Sequence, residues 1–303
     1  MFPAGSSHVR SRMVTLPGGM RLRLAESGPA TGRPVLLVHG WGASLYMWRD
    51  WFAALAASGR RVVALDLPGH GLSDKPERDD AYTLGAMAGT VRELLATLGI
   101  GDVDLVAQSM GGTIALELIL AANSPVRRAV LVNPACFGRV LLERLFPVAR
   151  ASLADRVLPR LVARWIVART HRLQYHDPST IAERDEDEYW APSQFPAYTR
   201  AMRRLIHVFQ WKRQPVEELA TRLRSARAEV LVMLGEKDGL VRDAIPYVAA
   251  LKAAGAGLES RIVKNGAHAM NEEWPGMTAT DALAFFDAPS ERHRADRATF
   301  QDE

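Results

Sequence analysis

The chain has 303 residues, long enough for one large α/β domain or two small ones. Hydrophobic residues make up 48% and charged residues 24%, a balance ordinary for a globular protein. The net charge is +4 with a pI near 9.4, and the arginines are scattered rather than grouped among aromatics, which argues against nucleic acid as a partner.

Residues 1–13 are rich in Gly, Ser and Arg and lack an apolar centre, so they are read as a flexible N-terminus and not as a secretory signal. No run of about 18 apolar residues occurs, so no transmembrane helix is expected. The single cysteine, Cys136, allows no intrachain disulfide and permits a reducing compartment. These readings together point to a cytoplasmic location. Cys136 itself is expected to pack in the core.

Residues 21–26 alternate apolar and charged side chains and read as an edge strand after the Leu16-Pro17-Gly18-Gly19 turn. Residues 34–38 form a wholly apolar run ending at His39-Gly40. Such runs suit strands buried on both faces of a parallel sheet. Similar runs recur at 61–65, 103–106, 129–132 and 230–234, with a less apolar one at 258–263. Helical patterns at 48–58, 84–98, 113–122, 244–254 and 278–286 alternate with them. The alternation predicts an α/β fold: a mostly parallel, doubly wound sheet with helices on both faces.

Between residues 138 and 212 the alternation breaks into helices without strands. This stretch reads as a helical cap inserted into a core of residues 14–137 and 213–287, and residues 288–303 read as a flexible tail. In the cap, Arg156, Arg160 and Arg164 fall on one helical stripe, with Val157, Leu158, Leu161, Val162, Trp165 and Ile166 opposite. The plain reading is an amphipathic helix lying on the core. The alternative is a surface making weak contact with a membrane or an acidic substrate. Residues 139–150 have a weaker pattern of the same kind, broken by Pro147. Residues 184–188, Arg-Asp-Glu-Asp-Glu, read as a solvated turn. Tyr189, Trp190, Phe195, Tyr198 and Trp211 suit a pocket lining or core packing equally.

Ala107-Gln108-Ser109-Met110-Gly111-Gly112 lies between an apolar strand and a helical pattern. A strand, a sharp turn bearing serine, and a helix form the layout of a nucleophile elbow. The helix N-terminus there favours negative charge on a reacting carbonyl oxygen. A serine hydroxyl needs a base, and the base needs an orienting group. Asp238 follows the strand at 230–234, with Glu236 and Asp243 as rival carboxylates. His268 follows the last strand in an uncluttered Gly-Ala loop, and the chain order Ser109, Asp238, His268 is the one expected of this layout. His39-Gly40-Trp41-Gly42 follows the first buried strand, so the Trp41 N–H can join that of Met110 as an oxyanion hole. Asp66 and His70, in the Pro-Gly-x-Gly turn after the next strand, are assigned structural roles.

These segments together resemble the α/β-hydrolase superfamily. The resemblance rests on residues 38–42, 66–73, 108–112, 235–238 and 266–268, and covers residues 14–287 apart from the cap. It implies Ser109 as nucleophile, His268 as base and Asp238 as its orienter, with Trp41 and Met110 donating backbone N–H groups. Two positions depart from the usual pattern: Ala107 replaces a glycine, and Gln108 stands where many members have histidine. A serine at the elbow speaks against the dehalogenase and epoxide hydrolase branches, whose nucleophile is a carboxylate. The leading expectation is therefore an esterase or lipase-like hydrolase of carboxylic esters with an apolar acyl group, needing neither metal nor organic cofactor. Thioester, amide and perhydrolase chemistry would use the same groups. One alternative is hydrolysis of a carbon–carbon bond in a ring-cleavage diketone, although those relatives carry tryptophan after the histidine and this chain has Ala269. The other is a non-catalytic ligand-binding protein on the same scaffold. The oligomeric state has no signature in the sequence.

Overall fold

The computed structural model describes residues 2–141, 163–211 and 213–289. Its strands are β1 (Arg10–Thr15), β2 (Arg21–Ser27), β3 (Pro34–Val38), β4 (Arg61–Leu65), β5 (Val103–Gln108), β6 (Val126–Val132), β7 (Arg139–Val140), β8 (Glu229–Gly235), β9 (Val241–Arg242) and β10 (Glu259–Val263). Eight of them form one sheet in the order β1-β2-β4-β3-β5-β6-β8-β10. From β4 to β10 every pairing is parallel, while β1 and β2 are antiparallel.

Side chains of the central strands alternate between two cores. Leu36, Val63, Leu105 and Leu131 face one, packed against α2 (Leu84–Thr97), α3 (Met110–Ile119), α7 (Val216–Ser225) and α8 (Ala244–Ala253). Val35, Val62, Val106 and Val130 face the other, packed against α1 (Trp51–Ala57) and α10 (Pro275–Asp287). With both faces covered, these strands have no solvent-facing side, which is why the runs read as largely apolar. Cys136 is buried in the first core, where burial pushes its thiol pKa up to about 12.

Four expectations are corrected. Residues 10–13, set aside as part of a flexible N-terminus, belong to β1, which pairs with β2 along its length. Consequently β2 is an inner strand and β1 holds the edge. Ahead of it, Phe2 is buried against Tyr46 and Phe52. The stretch expected to lack strands contains β7, which pairs antiparallel with β9. The acidic run at 184–188 is no turn. It lies in α5 (Glu183–Trp190) with Asp185, Glu186 and Glu188 all buried.

The described residues between 138 and 212 also form α4 (Arg164–Arg172) and α6 (Pro196–Val208). Arg164 opens α4 and pairs with Asp187 at 2.8 Å, and Trp165 is 68% exposed. Arg156, Arg160 and the apolar partners from Val157 to Val162, like residues 142–150 and the tail beyond 289, lie outside the described residues. Tyr189, Tyr198 and Trp211 are buried, whereas Phe195 is half exposed. Among the described residues no helix is long and apolar enough to cross a membrane.

A buried polar cluster joins α5 to the residues around Arg49 and Glu272. Arg49 reaches Glu272 at 2.5 Å and Asp185 at 3.0 Å, with its guanidinium over the Tyr46 ring. Tyr46 donates to Asp185 at 2.6 Å, and Tyr189 donates to Glu272. Glu272 lies in α9 (Met270–Glu273), just after His268. Burial pushes its carboxyl pKa up, but Arg49, His171 and Tyr189 outweigh burial and hold it below the usual glutamate value. A depressed folded-state pKa stabilises the fold at pH above the carboxylate range, and that contribution is lost as pH falls through the depressed value. Urea unfolding midpoints should therefore fall below the carboxylate range for the native protein, and fall less for Glu272→Gln. Parallel pH profiles for the two proteins would count against this assignment.

Candidate active site

The strand order reverses between β3 and β5: the chain runs outward to β4, then returns to β5. In open α/β sheets such a switch point opens a crevice beyond the carboxyl ends of the strands. The loops that follow β3 and β5 carry Trp41 and Ser109.

Ser109 sits between β5 and α3 at φ 52, ψ −117, and is partly buried. A positive φ is costly for a residue with a Cβ and persists only where the surroundings enforce it. Here its N–H donates to Val132 O at 3.0 Å and its carbonyl accepts from Ala135 N–H at 3.0 Å. The serine is thus clamped by the segment after β6. The Met110 N–H begins α3, where the helix dipole places partial positive charge.

The loop after β3 approaches this turn closely. A Cβ on Gly40 would lie 2.3 Å from Gln108 Oε1 and 3.1 Å from Ser109 Cβ, and one on Gly111 would lie 2.5 Å from His39 O. At Gly111 the obstacle is backbone and only glycine fits, while a side chain at Gly40 would have to displace the Gln108 amide. His39 holds the loop. Its Nε2 accepts from Leu67 N–H at 3.0 Å, so Nδ1 bears the proton and donates to Gly40 O at 2.7 Å. Burial pushes the His39 pKa down and favours this neutral form. The N–H groups of Trp41 and Met110 donate to no acceptor among the described residues.

His268 and Asp238 are brought together. Nδ1 of His268 lies 2.9 Å from Asp238 Oδ2, with both side chains nearly buried. The other oxygen, Oδ1, accepts from Leu240 N–H at 2.8 Å and Val241 N–H at 3.0 Å, so the carboxylate cannot swing away. The rival carboxylates are exposed and occupied elsewhere: Glu236 accepts from Asn265 N–H and Asp243 pairs with Arg139. No hydrogen bond joins Ser109 Oγ to the imidazole among the described residues. Catalytic contacts often tighten only with substrate bound.

Asp66 is buried, accepting from Leu45 N–H and Leu72 N–H at 2.8 Å each, which makes it the brace of two loops. His70 is buried beside His39, with Nδ1 against Pro68 O at 3.1 Å. Burial pushes its pKa far down.

Three residues here escape sequence reasoning. Gln108 donates to His268 O at 3.1 Å, so the odd residue before the serine holds the histidine loop. Asn133, at φ 43, donates to Ala267 O and His268 O and accepts from Gly235 N–H. Gln174 of the cap accepts from Ala269 N–H at 2.9 Å. The only sequence signal at Asn133 is an asparagine before proline at a strand end, common to many turns.

The chain matches the model of the alpha/beta hydrolase fold over residues 33–273. It belongs to that family. It is similar to a haloalkane dehalogenase of Psychrobacter cryohalolentis, 37% identical over 110 residues, covering 36% of each chain. It is also similar to the dihydrolipoyllysine-residue acetyltransferase component of the acetoin cleaving system of Cupriavidus necator, 31% identical over 252 residues, 81% of this chain and 64% of that one. The chain spans between 33% and 64% of the length of the curated relatives it matches. Among solved structures it resembles a putative aryl esterase from Burkholderia cenocepacia, with TM-score 0.74 and 22% identity over 91% of this chain and 98% of that one. It also resembles an epoxide hydrolase from hot-environment metagenomes, with TM-score 0.75 and 20% identity over 93% and 99%. These structural likenesses concern the fold.

Proposed function

We propose that this chain is a serine hydrolase cleaving carboxylic esters through an acyl-enzyme. The observation that carries the reading is the buried 2.9 Å His268–Asp238 pair at the same sheet edge as a serine held at positive φ. A serine hydroxyl attacks a carbonyl and takes up the substrate's acyl group, whereas a carboxylate nucleophile attacks a saturated carbon and takes up an alkyl group, which is what sets this site apart from carboxylate-nucleophile relatives.

In this mechanism Ser109 Oγ attacks the substrate carbonyl and its proton passes to His268 Nε2. Asp238 holds Nδ1–H and stabilises the imidazolium that forms. The oxyanion is received by the N–H groups of Trp41 and Met110, at the positive end of α3. His268 then returns the proton to the leaving alcohol. Water, activated by the same nitrogen, releases the acid. The substrate carries an apolar acyl group of short to medium length, in keeping with the aromatic cap residues.

The test is hydrolysis of p-nitrophenyl esters, from acetate to palmitate, by the native protein and by Ser109→Ala. We expect turnover with a chain-length optimum, abolished by the substitution. A native protein that turns over no ester would overturn the esterase reading and leave carbon–carbon hydrolysis or ligand binding without turnover.

A further inference from the structure

Asn133 lies one residue beyond β6 and uses every polar atom of its side chain. Its Nδ2 donates to Ala267 O at 2.9 Å and to His268 O at 3.1 Å. Its Oδ1 accepts from Gly235 N–H at 2.8 Å, three residues before Asp238. Its backbone N–H donates to Met233 O at 2.9 Å. The residue is 1% exposed, so no water competes for these bonds. One primary amide is thus bonded on one side to the strand that leads to the carboxylate and on the other to the loop that bears the imidazole.

The neighbours of Asn133 hold the third group. Val132 O accepts from Ser109 N–H, and Ala135 N–H donates to Ser109 O, each at 3.0 Å. Residues 132–135 therefore touch the backbone of Ser109, the strand of Asp238 and the loop of His268 at once. The conformation fits the residue, since Asn tolerates the left-handed φ of 43 better than other side chains of its size.

We propose that Asn133 is a positioning residue that sets the distance between His268 and its two partners, Ser109 and Asp238. The proposal rests on the esterase reading for its kinetic consequence. Without the amide, the His268 carbonyl keeps only Gln108 as donor, and the backbone bonds left between the loop and the segment after β8 reach no further than Gly266, two residues short of the imidazole. The imidazole then wanders within a loop whose residues before it are Gly266 and Ala267. Reacting groups displaced by about 1 Å lose roughly 100-fold in rate.

Two variants separate geometry from folding. Asn133→Gly accepts the positive φ and removes the clamp. Asn133→Asp keeps the φ and the acceptor for Gly235 but sets a carboxylate oxygen against two carbonyls. We expect kcat on the preferred p-nitrophenyl ester to fall about 100-fold in both, with KM changed by less than about twofold. We also expect the low-field Nδ1 proton of His268, assigned in histidine-labelled protein by its loss in His268→Gln, to shift upfield in Asn133→Gly. Cooperative melting of each variant establishes that it is folded. A residue of merely structural importance would lower the melting temperature and leave both kcat and this proton in place, and that result overturns the proposal. If Ser109→Ala abolishes turnover while Asn133→Gly retains it, the esterase reading stands and the clamp falls. If the native protein cleaves no ester, the kinetic arm fails with that reading. The proton then decides alone: its persistence in Asn133→Gly overturns the clamp and its shift sustains it.

Discussion

Replacing Asp238 by asparagine should lower kcat on the best ester by about 10⁴-fold without unfolding the protein. The size follows from which atoms can exchange. Oδ1 of Asp238 accepts from two backbone N–H groups, of Leu240 and Val241, so an asparagine must keep its oxygen there. Its amide nitrogen then faces His268 Nδ1, 2.9 Å away in the native protein. A donor in that place turns Nδ1 into an acceptor and moves the ring proton to Nε2. In the proposed mechanism that nitrogen is the one that takes the proton of Ser109. The substitution therefore fixes the wrong tautomer instead of merely removing a charge. Stopped-flow or steady-state kcat at constant pH, beside a melting curve, measures it. A loss below tenfold would mean that another carboxylate orients the base.

The second large effect concerns stability. Arg49→Met should destabilise the protein by about 3–5 kcal/mol, because it strands two buried carboxylates. Arg49 is the cation that Asp185 and Glu272 share, and both carboxylates are buried. Burial alone pushes the Arg49 pKa down, yet the two carboxylates outweigh burial and raise it. Arg49→Lys should lose less, since a point charge cannot bridge both acids as a planar fork does. Adding Glu272→Gln to Arg49→Met should restore part of the loss by removing one stranded charge. Urea unfolding at neutral pH gives all four values, and a loss under about 1 kcal/mol in Arg49→Met would refute the argument.

These two sites differ in how far sequence alone reveals them. Ser109 and Asp238 follow apolar strands and His268 follows the less apolar β10, and parallel strands deliver their carboxyl ends to one edge, so chain order alone predicts that they gather there. Ranges such as Pro34–Val38 and Arg61–Leu65 match expectation because strands buried on both faces leave no ambiguity. The arginine cluster is different. Asp185 and Glu186 sit among other charges, and a run of charges usually faces water. What turns them inward is Arg49, 136 positions earlier than Asp185 for one, and Arg172 for the other. Such long-range pairing leaves no local pattern. β1 escaped for a related reason. Its outward side chains at the sheet edge are nearly all exposed, so it lacks the apolar alternation that marks β2. Asn133 shows the same limit from the other side: its partners, 102 to 135 residues away, are backbone atoms, which carry no identity in a sequence.

The bond from Ala269 N–H to Gln174 O has two companions, because Glu273 accepts from His176 N–H and Asp177 N–H. Residues 174–177 are therefore stapled to the segment that begins at His268. Lifting them would leave the buried Ala269 N–H unmatched and would tug directly on His268. On α6, by contrast, Tyr198 reaches the core at Gly42 O and Arg204 meets Asp79 at the surface. The stretch from α4 to α5 is thus a doorframe whose position is tied to that of the His268 loop.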